Sequence, residues 1–198
     1  ALPAHGTTSA LTLGDTAPLQ AARLIPVAAG QDGVELPVTA LTADGVLDAL
    51  AKVGAKGAAG ELHRVVVGGT LFIAYGLGAA DEVDEESVRR GVGTAARSLS
   101  GIEEVAVSTE FGMGPIVEGL LLGSYSYQGL KSAEEDAPAP VAVTVVAGDE
   151  ERAAFDRARI IAESVNLARD LVNTPANYLY PEAYAEIMRE VGEQVGLS

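Results

Sequence analysis

The sequence contains no cysteine, and it has few basic residues. Without cysteine, disulfides and metal sites built from thiolates are excluded. The 13 lysines and arginines stand against 28 aspartates and glutamates, which leaves a formal net charge of −15. A strongly negative protein repels phosphate backbones and anionic lipid headgroups. The composition therefore argues against nucleic acid and membrane surfaces as partners.

Long apolar runs are missing as well. No stretch approaches the roughly 20 consecutive apolar residues of a membrane-spanning helix, and residues 1–30 lack the basic start and apolar core of a secretory signal. Hydrophobic residues make up 48% of the chain and charged residues 21%, as in globular proteins. A chain of 198 residues suffices for one ordinary domain with some extra structure. We expect a soluble, cytoplasmic protein.

Short apolar runs separated by glycine-rich breaks predict β-strands in the first half of the chain. Four such runs span residues 10–13, 23–28, 62–67 and 71–75. Pro26 lies inside the second run and cannot donate a ladder hydrogen bond, which predicts an edge strand or a bulge there. Gly68 and Gly69 predict a tight hairpin between the last two runs, because both central positions of the favoured turn need positive φ.

Three segments between residues 44 and 130 carry apolar residues at helical spacing. Asp44 is placed to cap a first, short helix, and Asp84 precedes an acidic turn that suits the start of a second. Gly101 is predicted to end the second helix, and Pro115 to occupy the first position of the third. The positions expected on the buried sides are Leu47, Leu50, Ala51 and Val53; Val88, Val92, Ala95, Ala96 and Leu99; and Ile116, Leu120, Tyr127 and Leu130.

Two further strands complete an alternating order of elements. Residues 104–108 form the first, and residues 141–147 are a nearly unbroken β-branched run, typical of a strand covered on both faces. The acidic, proline-containing segment 131–140 before that run is expected to be a loop. The alternation of strands and helices, with one hairpin, predicts an α/β fold in which a mixed sheet has helices on both faces.

A long helix is predicted over residues 149–172. At about 1.5 Å per residue it would be roughly 36 Å long, the width of a small domain. A helix of that length after a complete α/β unit is typical of a connector. Its apolar positions at intervals of three and four are Ala154, Ala158, Ile161, Val165, Ala168 and Val172.

Pro181 is predicted to start a last helix with an apolar stripe of its own. The stripe consists of Tyr184, Ile187, Met188, Val191 and Val195. A segment of about 25 residues cannot build its own core, so this stripe needs a partner. We therefore expect three parts: a domain over residues 1–148, a linker helix over 149–172, and the start of a truncated second domain over 173–198.

Three sequence stretches resemble the leucyl aminopeptidases of the cytosolic dinuclear-metal family. The stretch NLARDLVNTPAN at residues 166–177, followed by LYPEAYA at 179–185, resembles the junction between the two domains of these enzymes. The stretches VRRGVGTAARSL at 88–99 and EGLLLGSYSY at 118–127 resemble their amino-terminal domain, and they occur in the same order. The chain is thus similar to an amino-terminal domain and linker helix, from about residue 84 onward.

The resemblance implies a macro-domain-like fold, a larger catalytic domain reached through the linker helix, and a hexamer with the catalytic domains at its centre. In that family two divalent metals, Mn or Zn, are held by a lysine and carboxylates of the catalytic domain, including the signature NTDAEGR. No stretch of this sequence matches the signature. The resemblance therefore implies that these 198 residues contain no catalytic or metal-binding residue and hold no cofactor. It also implies that the missing catalytic domain binds the peptide substrate.

Gly112 and Gly114 are the candidates for a ligand site within the chain. They lie in a loop between a strand and a helix start, where backbone N–H groups point outward and could bind a diphosphate. Glu110 and Glu118 bracket this loop and no basic residue is near in sequence, so a tight structural turn is the alternative.

The remaining polar motifs favour structural roles. His5 and His63 are the only histidines and lack metal-ligand spacing, so we expect surface or strand-edge positions. Gly76 and Gly78 lack the third glycine of a dinucleotide fingerprint and are predicted to form a turn. Tyr125 and Tyr127 are predicted to lie on the third helix and to point in different directions. No Gly-x-Ser-x-Gly nucleophile motif is present.

Two functions from different classes follow from the sequence. In the first, the chain is the non-catalytic amino-terminal domain of a metal-dependent leucyl aminopeptidase, and it packs against its own catalytic domain and supports oligomer assembly. In the second, it is a stand-alone macro-like module that binds ADP-ribose or a related nucleotide at residues 112–114.

Overall fold

A computed structural model describes residues 2–129 and 140–197 of the chain. The strands in these ranges are β1 Ala10–Gly14, β2 Ala22–Gly30, β3 Gly33–Glu35, β4 Leu62–Val67, β5 Thr70–Ala79, β6 Glu104–Ser108 and β7 Ala142–Val146. The α-helices are α1 Val46–Lys52, α2 Glu85–Ala96, α3 Met113–Gly123, α4 Arg152–Asn173 and α5 Pro181–Gln194. Within the described ranges, no helix combines the length and apolar character needed to cross a bilayer.

The strands form one mixed sheet. Its order is β1-β7-β6-β2-β5-β4, and β3 pairs with β2 outside this path. The pairs from β1 through to β5 are parallel, whereas β4 runs antiparallel to β5 and β3 antiparallel to β2. Parallel neighbours need a crossover connection, and the helices supply it.

The sheet separates two clusters of buried side chains, because successive residues of a strand point to opposite faces. The cluster beneath α2, α3 and α4 includes Leu24, Tyr75, Val92, Ile116 and Phe155. The cluster beneath α1 includes Ile25, Phe72, Val46 and Leu50. The predicted α/β fold with helices on both faces of a mixed sheet is confirmed, while the likeness to a macro domain stays a prediction.

The strand that contains Pro26 lies inside the sheet, so of the two predicted alternatives the edge position is wrong and an irregular register, as in a bulge, is found. Pro26 stands opposite Tyr75 of β5, and the register shifts just after it, between Val27 and Ala29. On its other side β2 pairs with β6 over residues 22–24 and with β3 over residues 28–30. The proline thus occupies the gap between these two ladders, where a missing N–H costs little.

The hairpin at Gly68 and Gly69 is confirmed. Their φ angles are 58° and 82°, and β4 and β5 pair in antiparallel register on either side. Gly76 and Gly78, by contrast, lie within β5, so the predicted turn there is wrong. A Cβ on Gly76 would stand 1.9 Å from the carbonyl oxygen of Ala58, so the glycine is required by close backbone approach.

Helix α1 differs from its prediction in both cap and buried face. Gly45, with φ of 85°, is the N-cap, and no side chain caps the helix. The buried residues are Val46 and Leu50, whereas Leu47 is exposed. The predicted cap by Asp44 is wrong because the chain enters the helix through a left-handed glycine.

Helix α2 begins as predicted and ends early. The Asp84 carboxylate accepts a hydrogen bond of 2.8 Å from the Ser87 backbone N–H, and the Ser87 side chain completes the capping box. The predicted buried side is confirmed. The helix ends at Ala96 and not at Gly101, which lies in the following turn with φ of 80°.

Helix α3 starts at Met113, which places Pro115 at its third position and not at its first. It ends at Gly123, so Tyr125 and Tyr127 lie beyond it in a non-helical segment, and the predicted helical placement of both is wrong. Leu130 and residues 131–139 of the predicted loop lie outside the described residues.

Helices α2 and α3 pack at glycines. A Cβ on Gly123 would stand 2.4 Å from the carbonyl oxygen of Gly93, and one on Gly119 would stand 2.8 Å from that of Arg89. Because both positions lack a side chain, the two helix backbones approach more closely than any other residue would allow.

Helix α4 exists as predicted, but its buried face is different. The buried residues are Phe155, Ala158, Ala162, Asn166 and Asp170, and the first three belong to the core cluster beneath α2, α3 and α4. Of the predicted apolar stripe only Ala158 is buried. The helix therefore packs on the sheet through Phe155 and through small and polar residues, and its larger aliphatic residues Ile160, Ile161, Val165 and Val172 are exposed.

Helix α5 begins at Pro181 as predicted. Ile187 is its buried residue, while Tyr184 is 46% exposed. Val195 lies just after the helix and is 67% exposed. Most of the predicted stripe is therefore only partly covered by the rest of the described chain.

Candidate functional site

The carboxylate of Asp170, near the end of α4, gathers three distant parts of the chain. It accepts hydrogen bonds of 2.8 Å from the backbone N–H of Gly6 and 2.8 Å from the hydroxyl of Tyr125. Nδ1 of His5 lies 3.1 Å from its other oxygen. Asp170 is only 5% exposed, and a buried charge is tolerated where donors satisfy it in this way. The cluster joins α4 to the segment before β1 and to the segment after α3.

A second set of bonds attaches α4 to the end of α3. The buried Asn166 amide donates to the carbonyl of Leu121 at 3.2 Å, and the Arg169 guanidinium donates to that of Leu122 at 2.9 Å. These carbonyls lie in the last turn of α3, where helices leave such groups unpaired. The Arg169 guanidinium also lies over the ring of Tyr125, 5.3 Å from its centroid. The C-terminal half of α4 is thus fixed by polar contacts.

The environment of Tyr125 disfavours its ionised form. Burial raises the pKa of its hydroxyl, and the neighbouring Asp170 carboxylate adds to the rise, while the hydrogen bond from Asn173 opposes it. The hydroxyl accepts that bond from the Asn173 amide at 3.1 Å. At neutral pH it is therefore a donor to Asp170, which stabilises the buried carboxylate.

Helix α4 ends just beyond this cluster. The Thr174 hydroxyl donates to the carbonyl of Asp170 at 2.7 Å, and Pro175 follows. The cluster therefore lies where the chain leaves α4, and it fixes the direction in which residues 175 onward continue.

The outer side of α4 and the segment after it carry most of the exposed apolar surface. Among the described residues thirteen large hydrophobic side chains are exposed, and nine of them lie beyond residue 159. The nine are Ile160, Ile161, Val165, Val172, Tyr178, Tyr180, Tyr184, Val195 and Leu197. We call this set the outer face. A concentration of exposed apolar residues marks an interaction surface.

The glycine loop with the candidate ligand residues Gly112 and Gly114 forms the entry to α3, and a ligand there stays a prediction. Gly112 is the N-cap of α3 with φ of 93°, and its N–H donates to the carbonyl of Thr109. A Cβ on Gly114 would stand 3.8 Å from a carboxylate oxygen of Glu118. Glu110 accepts a hydrogen bond from the backbone N–H of Ala40. The carboxylate of Glu118 lies close to the helix start, where a phosphate would bind.

The two histidines lie far apart in the sequence and contact different carboxylates. Nε2 of His63, on the edge strand β4, lies 2.8 Å from the Glu61 carboxylate, and His5 contacts Asp170. The described residues contain no group of three or more histidine, cysteine or acidic side chains with metal-binding geometry.

Sequence patterns missed the Asp170 cluster. The helical pattern assigned no role to Asp170, and its partners lie 45 to 165 positions away. A signal was present in Asn166 and Asp170, two polar residues four apart on the same face as Ala158 and Ala162. Hydrophobicity alone does not identify such a face.

Comparisons with known proteins identify the same family along most of the chain. The model of the N-terminal domain of the cytosol aminopeptidase family matches residues 24–134. A probable cytosol aminopeptidase of Corynebacterium diphtheriae is 40% identical over 210 aligned positions, which cover 99% of this chain and 42% of that protein.

Solved structures show the same fold. A mutant tomato leucine aminopeptidase aligns with a TM-score of 0.73 and 20% identity, over 94% of this chain and 42% of its own. The bottromycin maturation enzyme BotP in complex with Mn aligns with a TM-score of 0.70 and 23% identity, over 89% of this chain and 37% of its own. The chain thus spans about two fifths of the length of such relatives.

Proposed function

This chain belongs to the cytosol aminopeptidase family, as its N-terminal domain, and we propose that its role is to pack against a catalytic domain and to support assembly. The outer face is the observation that carries this proposal, because it places large aliphatic and aromatic side chains in solvent at the end that follows α4. The Asp170 cluster supports it by holding α4 rigidly on the sheet domain.

We propose that the parent enzyme releases amino-terminal residues from peptides, with leucine preferred, using water activated by two divalent metals, Mn or Zn. The names of the relatives and the Mn complex of BotP support this reading. Since the described residues offer no group of three or more metal ligands, we assign no catalytic step to this chain.

The proposed division of the chain has a sheet domain over residues 1–148, a linker over 149–172 and the beginning of the catalytic domain over 173–198. We also propose a cytoplasmic location and a homo-oligomer, a hexamer by resemblance to the family. Beyond residue 159, both α4 and α5 expose apolar side chains. These side chains supply surface for contacts within a subunit and between subunits.

Two measurements test the proposal. The purified chain with Mn²⁺ or Zn²⁺ is expected to show no hydrolysis of a leucyl amide, and a clear rate would overturn the assignment of roles. The second uses the part of the Corynebacterium diphtheriae relative that does not align with this chain. Calorimetry measures whether that part binds the chain.

Val172→Asp, at a site that is 85% exposed, is expected to weaken this binding by about tenfold or more, because it puts a charge into an apolar contact. Leu19→Asp is the matched control, at a site that is 90% exposed and outside the outer face. Equal effects of the two substitutions, or no binding by the unchanged chain, would refute the outer face as the docking surface.

A further inference from the structure

Four arginines line one groove on a protein whose overall charge is strongly negative. The groove has a volume of about 360 Å³ and lies where α2, α3 and α4 meet. Its lining includes Arg89, Arg90, Arg97 and Arg169, out of only 13 basic residues in the chain. Gly93, Gly119 and Gly123 also line it. Because these glycines have no side chains, they do not fill the groove, and the guanidinium groups lie along open space.

Two of these arginines are paired with carboxylates of the protein, although Arg90 is 78% exposed and bonds Glu86 only through Nε. Arg89 donates to Glu118 at 2.7 Å and to Glu86 at 2.6 Å, and Arg90 donates to Glu86 at 2.7 Å. The bond between Arg89 and Glu118 fastens α2 to α3, whereas both bonds of Glu86 lie within α2. They leave four guanidinium groups against two carboxylates, so the groove keeps a positive charge.

The remaining two arginines have no carboxylate partner among the described residues. Arg169 is held by the Leu122 carbonyl and the ring of Tyr125. Arg97 is exposed, and its guanidinium donates to the hydroxyl of Thr94 at 3.1 Å. Arg97 also lines a neighbouring cavity of about 400 Å³. Its other N–H groups are therefore accessible to an anion from solvent.

The spacing of the exposed arginines suits an extended chain of charges. Arg90 and Arg97 are two helical turns apart, a separation of about 10 Å along α2. In an extended peptide, two residues four positions apart point to the same side and lie about 13 Å apart, and the flexible glutamate and arginine side chains cover the difference. Guanidinium groups bind carboxylates through paired, planar hydrogen bonds. A single small anion could not contact both arginines at once.

We propose that this groove binds an extended acidic peptide segment, with one carboxylate on Arg90 and a second, four residues away on the same side of the segment, on Arg97. The site is independent of the outer face and of the proposed docking of a catalytic domain. Glu86 and Glu118 beside the groove disfavour a dense phosphate chain more than separated carboxylates, because like-charge repulsion rises with the charge brought close.

Fluorescence polarisation with labelled, end-blocked peptides tests this proposal on the full 198-residue chain. The probe peptide carries two glutamates four positions apart. One reference peptide has glutamine at both positions, and another has the two glutamates adjacent. The measurement is made at about 0.1 M salt, where the Debye length of about 10 Å screens distant carboxylates but leaves contact pairs in place.

Specific binding of the spaced peptide is expected, with weaker binding of the adjacent form and none of the glutamine form. Arg97→Gln and Arg90→Gln are each expected to weaken binding by about tenfold, the loss of one charge-assisted contact. Arg157→Gln on α4 is the matched control, because this exposed arginine lies outside the groove, and it is expected to leave binding unchanged.

Three results would overturn the proposal: no binding of the spaced peptide, an equal loss in Arg157→Gln, or equal affinity for all three peptides. Tripolyphosphate is added as a competitor to distinguish the source of the anion. If it binds more tightly than the peptide and depends on Arg97, the groove is a phosphate site and the peptide assignment is wrong.

Discussion

Asp170 of α4 accepts a hydrogen bond of 2.8 Å from the hydroxyl of Tyr125, which lies 45 residues earlier, just after α3. This bond closes the contact between α4 and the segment that follows α3. It also explains why a charged residue is buried on this helix, next to the buried Ala158 and Ala162.

Replacement of Asp170 by asparagine is expected to lower the free energy of unfolding by about 2 kcal/mol, because Gly6, Tyr125 and His5 then lose the charged acceptor that Asp170 holds in a buried position. Chemical denaturation measures the change. Asp156→Asn on the same helix is the matched control, since its ion pair with Arg159 is half-exposed. A similar loss in both variants would contradict the role assigned to Asp170.

Tyr125→Phe removes the hydroxyl and keeps the ring beneath Arg169. The expected cost is about 1.5 kcal/mol of unfolding free energy, the value of one hydrogen bond to a charged group. Hydrogen exchange should show the loss first in the C-terminal half of α4. Tyr178→Phe, at a site that is 46% exposed, serves as the control. If the amides of α4 are protected from exchange equally in the two variants, the bond does not hold α4.

Gly123→Ala is expected to destabilise the protein by about 2–3 kcal/mol, because the new methyl group would overlap the Gly93 backbone and force α2 and α3 apart. Gly114→Ala is the matched control on α3. Its added Cβ has ordinary contact distances, so it should leave stability unchanged or raise it by up to about 1 kcal/mol through helix propensity. Thermal unfolding distinguishes the two, and a tolerated alanine at 123 would refute the close packing.

Burial raises the pKa of Tyr75 above its ordinary value of 10.0. The folded protein then retains the phenol proton at pH values where the unfolded chain has lost it, so the stabilising contribution is complete below pH 10 and declines above it. The unfolding free energy is expected to fall by up to about 1.4 kcal/mol per pH unit in alkaline solution. Tyr75→Phe should reduce this slope, and an unchanged slope would contradict the burial of an unionised hydroxyl.

Several elements were predictable because their signals are local. Gly68 and Gly69 permit only a few turn geometries, and Asp84 followed by Ser87 caps a helix by contacts within one turn. The same holds for the order of strands and helices. The predicted cap at Asp44 failed because the backbone conformation at Gly45 decided the entry to α1.

The face that a helix buries was less predictable. On α4 the strongest apolar stripe includes Ile161 and Val165, yet these are exposed and the smaller Ala158 and Ala162 are buried. An amphipathic pattern identifies a face that avoids water, but a helix with two apolar faces does not indicate which one meets its own domain.

The sequence by itself determined the family resemblance, the alternation of strands and helices, and the presence of a long helix before residue 174, since these depend on residue identity and short-range periodicity. Only the tertiary structure decided that Asp170 is buried among distant donors, that four arginines share one groove, and that the aliphatic side of α4 stays in solvent. These arrangements depend on contacts between residues far apart in the chain, which the spacing of side chains along one segment does not encode.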